Sequence, residues 1–452
     1  MSLLLVVALL FFSSSCSVSS GQYYVSDDCS SVTQSPCNPL SVYAGDMSQY
    51  NNSIFYFIGT SSIYNDLTMD SVQNVTLHGL DQSPVINCRN KYAKYDVKIY
   101  SSSYVTFSNI SWHHCYISFE FSNNITITGS IFKNQYQSLG LMNVFDSKIT
   151  SSVFDSVNLL MFYSPPPVCY NELHCYSLTL TNVTVTNGYL EFDMFHGTSY
   201  NLSIILDNVN IISTSTDYYF TESLFSLYIT NSSISCSNDG FGFEFDMHSQ
   251  QSKYCNIKGV ESQSTIVIED TQFHNNGNGL YFIISQDYFQ LSNHHIAITV
   301  NLCSIYDSDL SGLAMDGGLS TSAHISVIDT ELVGNRRNEI IGCHFVLLNN
   351  ITVTNSLSTG LVIKSSVVTV ENRLAFKSNT GVVGGGMAIN ISSTVALSPS
   401  ANLEFIDNHA TYKGGGIYID EKTESTFALV SPIPLTLKDN TAGVAGNDIM
   451  GN

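Results

Sequence analysis

The 452-residue sequence carries 37 acidic against 16 basic residues, a formal charge of −21 from only 12% charged residues. So acidic a surface argues against nucleic acid and anionic membranes as partners. An apolar content of 44%, with 26 Tyr and 25 Phe, rules against disorder and is ample for a large β core.

The chain opens with an apolar run from Met1 to Phe12, broken only by Ser2, and continues through small residues to Gly21. This is the layout of a secretory signal peptide, although no Lys or Arg precedes the run. Residues 1–20 are therefore expected to be removed and the mature protein to be secreted and extracellular. No later stretch reaches about 18 uninterrupted apolar residues, so no membrane insertion is expected. Residues 71–452 are expected to form a solenoid, and residues 21–70 an N-terminal cap over its first exposed edge.

The solenoid is read from a short pattern, apolar-x-[Asn/Asp]-x-x-apolar, that returns along the chain. It occurs around Asn74, Asn109, Asp146, Asn182, Asn208, Asn231, Asp270, Asp329 and Asn350, with looser copies at Asn124, Leu302 and Asn372. From Asn124 onward the copies lie about 21 to 39 residues apart, the range of solenoid coils with variable loops. In LTLTNVTVTN, Leu178 and Leu180 share one parity and Val183 and Val185 the other. A continuous strand cannot change its inward parity, because a slip of one residue turns every side chain over. A one-residue bend can, and Asn and Asp are the non-glycine residues most tolerant of the left-handed backbone it needs. The predicted fold is all-β, a right-handed parallel β-helix, whose corner asparagines are placed to bond to one another from coil to coil. A sandwich or propeller fits less well: hairpin dipeptides are scarce and no blade signature recurs.

Of 11 cysteines, Cys16 falls in the leader. The remaining Cys29, Cys37, Cys88, Cys115, Cys169, Cys175, Cys236, Cys255, Cys303 and Cys343 are an even set, expected behind a secretory leader to form disulfides. Pairing of sequence neighbours is the simplest expectation, since adjacent coils bring them together. N-x-[Ser/Thr] acceptors stand at Asn51, Asn74, Asn109, Asn124, Asn182, Asn201, Asn231, Asn350 and Asn390. Alternating Asn-Val-Thr-Val generates such sequons by strand patterning alone, and exposed ones are candidates for N-glycosylation.

Near the C-terminus the sequence reads FKSNTGVVGGGMAI from Phe376, FIDNHATYKGGGIYI from Phe405 and LKDNTAGVAGNDIMG from Leu437. Phe376 with Asn379 and Phe405 with Asn408 make an F-x-x-N element, and Gly384 to Gly386 and Gly414 to Gly416 a glycine cluster after it. The third copy departs, with Leu437 for Phe and only Gly446 at the cluster. Residues 374–452 resemble the repeats of chlamydial polymorphic outer-membrane proteins, found also in large secreted β-helix proteins of sponges and other simple animals; the upstream coils look like the broader pectin-lyase-like superfamily. The resemblance implies a β-helix with Phe stacked in its core. Because Ile449 to Asn452 stop within a repeat, the C-terminal end of the helix is expected to be incomplete.

Function must come from a site rather than a fold. The paired aspartate, Gly-His-Gly and Arg-Ile-Lys motifs of polygalacturonase-like enzymes are missing from the coils, the only Asp-Asp being Asp27-Asp28. Arginines are confined to Arg89, Arg336, Arg337 and Arg373. Asp307, Asp309 and Asp316 are the best acidic cluster, with oxygen ligands of the kind Ca²⁺ takes, but an exposed inter-coil loop explains them better and no metal is expected. His113-His114 and His294-His295 face opposite ways on a strand, which disfavours joint metal ligation. Trp112 falls at an apolar repeat position and reads as core. No cofactor is implied. The expectation is a non-catalytic extracellular scaffold for recognition, adhesion or matrix structure, with glycans or cell-surface proteins as partners. The alternative is a divergent carbohydrate-active enzyme whose carboxylates come from different coils.

Overall fold

The computed structural model describes residues 21–451 apart from 82–83, 89–96, 164–173, 195–199, 214, 222–223, 237–242, 249–261, 285–293, 319–322, 421–424 and 429–433. The chain is a right-handed parallel β-helix, the hand that parallel crossover connections take almost without exception. Each coil lays one strand on each of three stacked parallel sheets.

On the first sheet, Ser53–Phe57 pairs with Gln73–Gly79, that strand with Ser103–Ser108, and so on through Thr394–Leu397 to Thr426–Ala428. The second runs from Thr60–Ile63 to Leu435–Lys438, the third from Leu67–Asp70 to Ile449–Met450. Stacking already includes Gly21–Val25, which lies in register on Ser53–Phe57. Residues 21–70 thus hold strands of all three sheets as well as three short 3₁₀ turns.

Equivalent side chains pile up inside. Leu77, Phe107, Ile127, Ile149 and Leu180 occupy one buried file of the first sheet. Trp112, Phe132 and Phe154 share a file of the second with Phe376 and Phe405. The Phe132 and Phe154 rings stack at 4.8 Å and those of Phe376 and Phe405 at 5.0 Å. Each such side chain withdrawn from water contributes about 1.5–3 kcal/mol.

Every residue that carries the sequence pattern has a left-handed backbone, with φ from 45° at Asp329 to 57° at Asn350, including the looser copies Asn124, Leu302 and Asn372. The pattern nevertheless merges two different bends. Asn74, Asn124 and Asp146 lie near the start of the first sheet, stacked with Asn52 and Tyr104. Asn109, Asn182, Asn208, Asn231, Asp270, Leu302, Asp329, Asn350 and Asn372 lie at its far end, where the chain turns onto the second sheet. Both bends need the same backbone and the same switch of parity, so their local sequences look alike. The expected side-chain ladder forms in part: Asn74 Nδ2 donates to Asn52 Oδ1 (3.1 Å) and Asn208 Nδ2 to Asn182 Oδ1 (2.6 Å). Asn231 donates instead to Asp207 and Asn372 to Asn349, each one residue before the bend of the preceding coil.

The F-x-x-N asparagines form a second ladder, fully inside. Asn379 Nδ2 donates to Val353 O and to Asn408 Oδ1, and Asn408 Nδ2 to Phe376 O and Asn440 Oδ1. Their oxygens also accept backbone N–H groups, from Ser356 to Asn379 and from Asn379 to Asn408. Asn276 and Asn335 do the same work further up, so the element begins at Phe273, well before the stretch in which the sequence makes it conspicuous. The glycine clusters are required by close approach: a Cβ on Gly385 would lie 2.4 Å from Gly415 O, and one on Gly415 2.2 Å from Asn447 O.

Two expected disulfides are present, Cys29–Cys37 and Cys88–Cys115, both between sequence neighbours. Cys303 and Cys343 correct the expectation, being separate buried thiols at different corners. Cys303 stacks between Thr271 and Thr330, and its Sγ bonds to Asn301 O as those hydroxyls bond to Glu269 O and Ile328 O. Cys343 heads an inward file in which its N–H donates to Ser366 Oγ, Ser366 N–H to Ser393 Oγ, and Ser393 N–H to Ser425 Oγ. Both cysteines therefore stand in for serine or threonine. Burial pushes the Cys303 thiol up to about 11 and the Cys343 thiol up to about 12. Cys236 is buried; Cys169 and Cys255, and the side chain of Cys175, lie outside the described residues.

Candidate functional face on the third sheet

Outward positions of the third sheet gather the chain's chemistry. In one row, Glu191, position 217 (Asp), Glu244 and Tyr281 are in register on successive coils, with Glu339 two coils further. In the neighbouring row, Asp246, Ile283 and Asp316 succeed one another. Adjacent strands stand about 4.8 Å apart, which brings such side chains within reach of each other.

Tyr281 is the centre of this group. Its hydroxyl is held above the usual phenol range, first by burial, then by the carboxylates of Asp316, Glu244 and Glu339, with Arg337 opposing them. Arg337 reaches the site from the turn before Glu339–Ile341. Its Nη2 lies 3.2 Å from Glu339 Oε1, and its Nε donates to Ser311 Oγ at 2.9 Å. A protonated phenol and a guanidinium among carboxylates make a set of fixed donors and acceptors suited to hydroxyl-rich ligands.

Residues singled out from the sequence fare differently. Arg337 belongs to this group, whereas Arg336 is exposed and bonds through its backbone to Ser308 O. Asp316 also belongs, but Asp307 is a left-handed corner residue and Asp309 sits in the loop after it. Among the described residues no three His, Cys, Asp or Glu side chains converge as metal ligands. His113 bonds to Ser111 Oγ while His114 turns a corner; His295 is exposed, and the side chain of His294 is outside the described residues. Asp27 and Asp28 accept from the Ser62 and Ser30 backbones, and Trp112 is buried in the second sheet's stack. Arg373 forms a bidentate pair with Glu404 (2.9 and 3.0 Å) on the second sheet, and Arg89 is outside the described residues.

Sequence reasoning missed the third-sheet group. A signal was present: Glu-Phe-Asp-Met occurs at Glu191–Met194 and again at Glu244–Met247, in register two coils apart. Glu191 precedes buried Phe192, and Glu244 and Asp246 flank buried Phe245, the pattern of an outward-facing row.

Sequons at Asn74, Asn109, Asn182, Asn231 and Asn350 are exposed at the two bends bordering the first sheet, with Asn124 half-buried among them. Asn51 is exposed beside the first of those bends, and Asn390 is half-buried at the end of a third-sheet strand. The side chain of Asn201 is outside the described residues.

No protein-family model matches the chain, and no curated protein matches it. Solved structures that wind similarly include the Dettilon tailspike protein, at 10% identity over 77% of this chain and 63% of that one, with a TM-score of 0.37. The A-module of the mannuronan C-5 epimerase AlgE4 of Azotobacter vinelandii is 9% identical over 87% and 91%, with a TM-score of 0.29. A PL6 alginate lyase solved with a trisaccharide is 11% identical over 92% and 86%, with a TM-score of 0.28. The chain spans 63% of the Dettilon tailspike and 55% of the bacteriophage CBA120 tailspike protein 3. Superpositions this loose say nothing about ligand or reaction. No helix among the described residues is long and apolar enough to cross a membrane.

Proposed function

We propose that this chain acts outside the cell as a rigid, non-catalytic β-helical scaffold that recognises carbohydrate along its third sheet. The observation that carries the reading is the outward group around Tyr281, where Glu244 and Glu339 share its row and Arg337 bonds to Glu339. Burial and three carboxylates hold the proton on the Tyr281 hydroxyl, which keeps it a hydrogen-bond donor and disfavours a role as catalytic base. Arg337 is tied to Glu339 and Ser311, which leaves it a donor and a clamp. The secretion expected from residues 1–20 supports the same reading, and glycans at the far bend of the first sheet, on Asn109, Asn182, Asn231 and Asn350, would leave the third sheet uncovered.

The enzyme alternative draws on one specific observation, that Glu244, Asp316 and Glu339 all act on a single hydroxyl. Carboxylates gathered from different coils are what a glycosidase-type reaction requires. Both readings meet in one experiment. The secreted protein and its Tyr281→Phe variant are titrated with polysaccharide fragments by calorimetry, and the mixtures are assayed for new reducing or unsaturated ends. The scaffold reading expects binding without turnover, weakened about tenfold by loss of the hydroxyl. Turnover abolished by the substitution would establish the enzyme instead.

A further inference from the structure

Four bend residues break the rule that a left-handed backbone is given to Asn, Asp, Ser or Gly and leave an apolar or aromatic side chain in solvent: Tyr104, Phe121, Leu302 and Ile391. Leu302 and Ile391 stand apart from one another. Phe121 and Tyr104 lie on adjacent coils at the same edge, where the third sheet turns onto the first. Phe121 occupies a position held by Ser101 on the preceding coil and Asn143 on the next. Strain and exposure together, with only the edge of one exposed neighbouring ring in return, are the mark of a position kept for a ligand.

The surroundings are built to match. The Phe121 ring meets the Tyr100 ring edge to face at 5.7 Å, and Lys98 Nζ lies 5.2 Å from the centroid of Tyr100. Lys98 also pairs with Glu120 at 2.9 Å, and Ser118 Oγ donates to the same carboxylate at 3.2 Å. Glu120 is buried, so its charge is spent on Lys98 and offers nothing to a free cation. We propose that Tyr100 and Phe121, flanked by Tyr104, form a stacking platform for an uncharged sugar ring of a polysaccharide, with Lys98, held in place by buried Glu120, donating to its hydroxyls. The apolar faces of aromatic rings with polar groups at their rim suit a ring that is apolar on one face and hydroxylated at its edge. A formal charge of −21 disfavours a polyanion. A protein partner would need about 800 Å² of contact on its side, wider than these three side chains provide.

The inference rests on the proposed carbohydrate reading, at a different place on the same face. Calorimetry of the secreted protein with soluble fragments of cellulose, laminarin, mannan and chitin tests both. Binding of at least one fragment is expected, weakened about tenfold in Phe121→Asn and in Tyr100→Thr and unchanged in Leu302→Asn. Phe121→Asn is also expected to raise the denaturation midpoint, a gain in stability at the expense of affinity that a structural residue would not show. Binding that survives both aromatic substitutions at full strength overturns the platform while the carbohydrate reading stands. Failure of every fragment to bind the unaltered protein overturns both.

Discussion

Leu302 holds a φ of 53° with its side chain 53% exposed, between Asp270 and Asp329 in the same stack of bends. An ordinary side chain in this conformation costs about 1–2 kcal/mol, and Asn relieves much of it by bonding locally. Leu302→Asn is therefore expected to stabilise the protein by about 0.5–1 kcal/mol, read as a higher urea midpoint. That a leucine could be recognised at a bend at all came from the spacing of its neighbours along the chain. What the spacing could not tell was which of two bends each Asn occupies, because Asn74 and Asn109 answer the same local demand at opposite ends of one strand column. Tyr104 and Phe121 were invisible for a related reason. Nothing in an isolated Tyr or Phe announces a left-handed backbone.

Elements are held in place by inward polar files as much as by apolar ones. A buried backbone N–H left without an acceptor costs about 1–3 kcal/mol, and the hydroxyls of Ser102, Ser122, Ser366 and Ser393 supply acceptors where bends interrupt the ladder of strands. Cys303 and Cys343 belong to these files, which explains why an even count of cysteines behind a leader misled. A thiol and a hydroxyl are nearly the same shape, and only the register separates a rung from half of a bridge. The two thiols titrate well above the usual 9.0. Below that pH they are protonated in both states and their contribution to stability is complete; as pH rises toward about 11 and 12 the unfolded chain releases protons the folded chain keeps, and stability falls. Replacing both with Ser is expected to preserve the fold and flatten the loss between about pH 9 and pH 10.5, measured by denaturant midpoints across that range. Parallel strands, coil length and the Phe376–Phe405 stack were legible in the sequence because they recur along the chain. The group around Tyr281 was not, since Glu244, Tyr281 and Asp316 are gathered by stacking from segments far apart in the sequence.

In the molecule as a whole, each coil touches only the coils beside it, so stability is a sum of neighbour interactions rather than a single shared core. Asn408 is a severe place to test this. Its side chain bonds to Phe376 O and Asn440 Oδ1, and its oxygen accepts from Asn379. Asn408→Ala is expected to cost about 3 kcal/mol or more by orphaning buried groups. Hydrogen exchange should register that loss between about residues 376 and 440 and leave the coils around Val75 and Val105 as protected as before; uniform deprotection would show one cooperative unit.

The constant rise of the coils turns sequence position into distance. Lys98 and Tyr281 occupy the same outward row seven strand spacings apart, about 34 Å along the axis. A polymer long enough to reach both places would engage the second from a tethered start, at an effective concentration set by the span, and its residence time would climb steeply once its length exceeds that interval. Short fragments would sample each place singly, so the protein would weigh chain length as well as chemistry, as a ruler does.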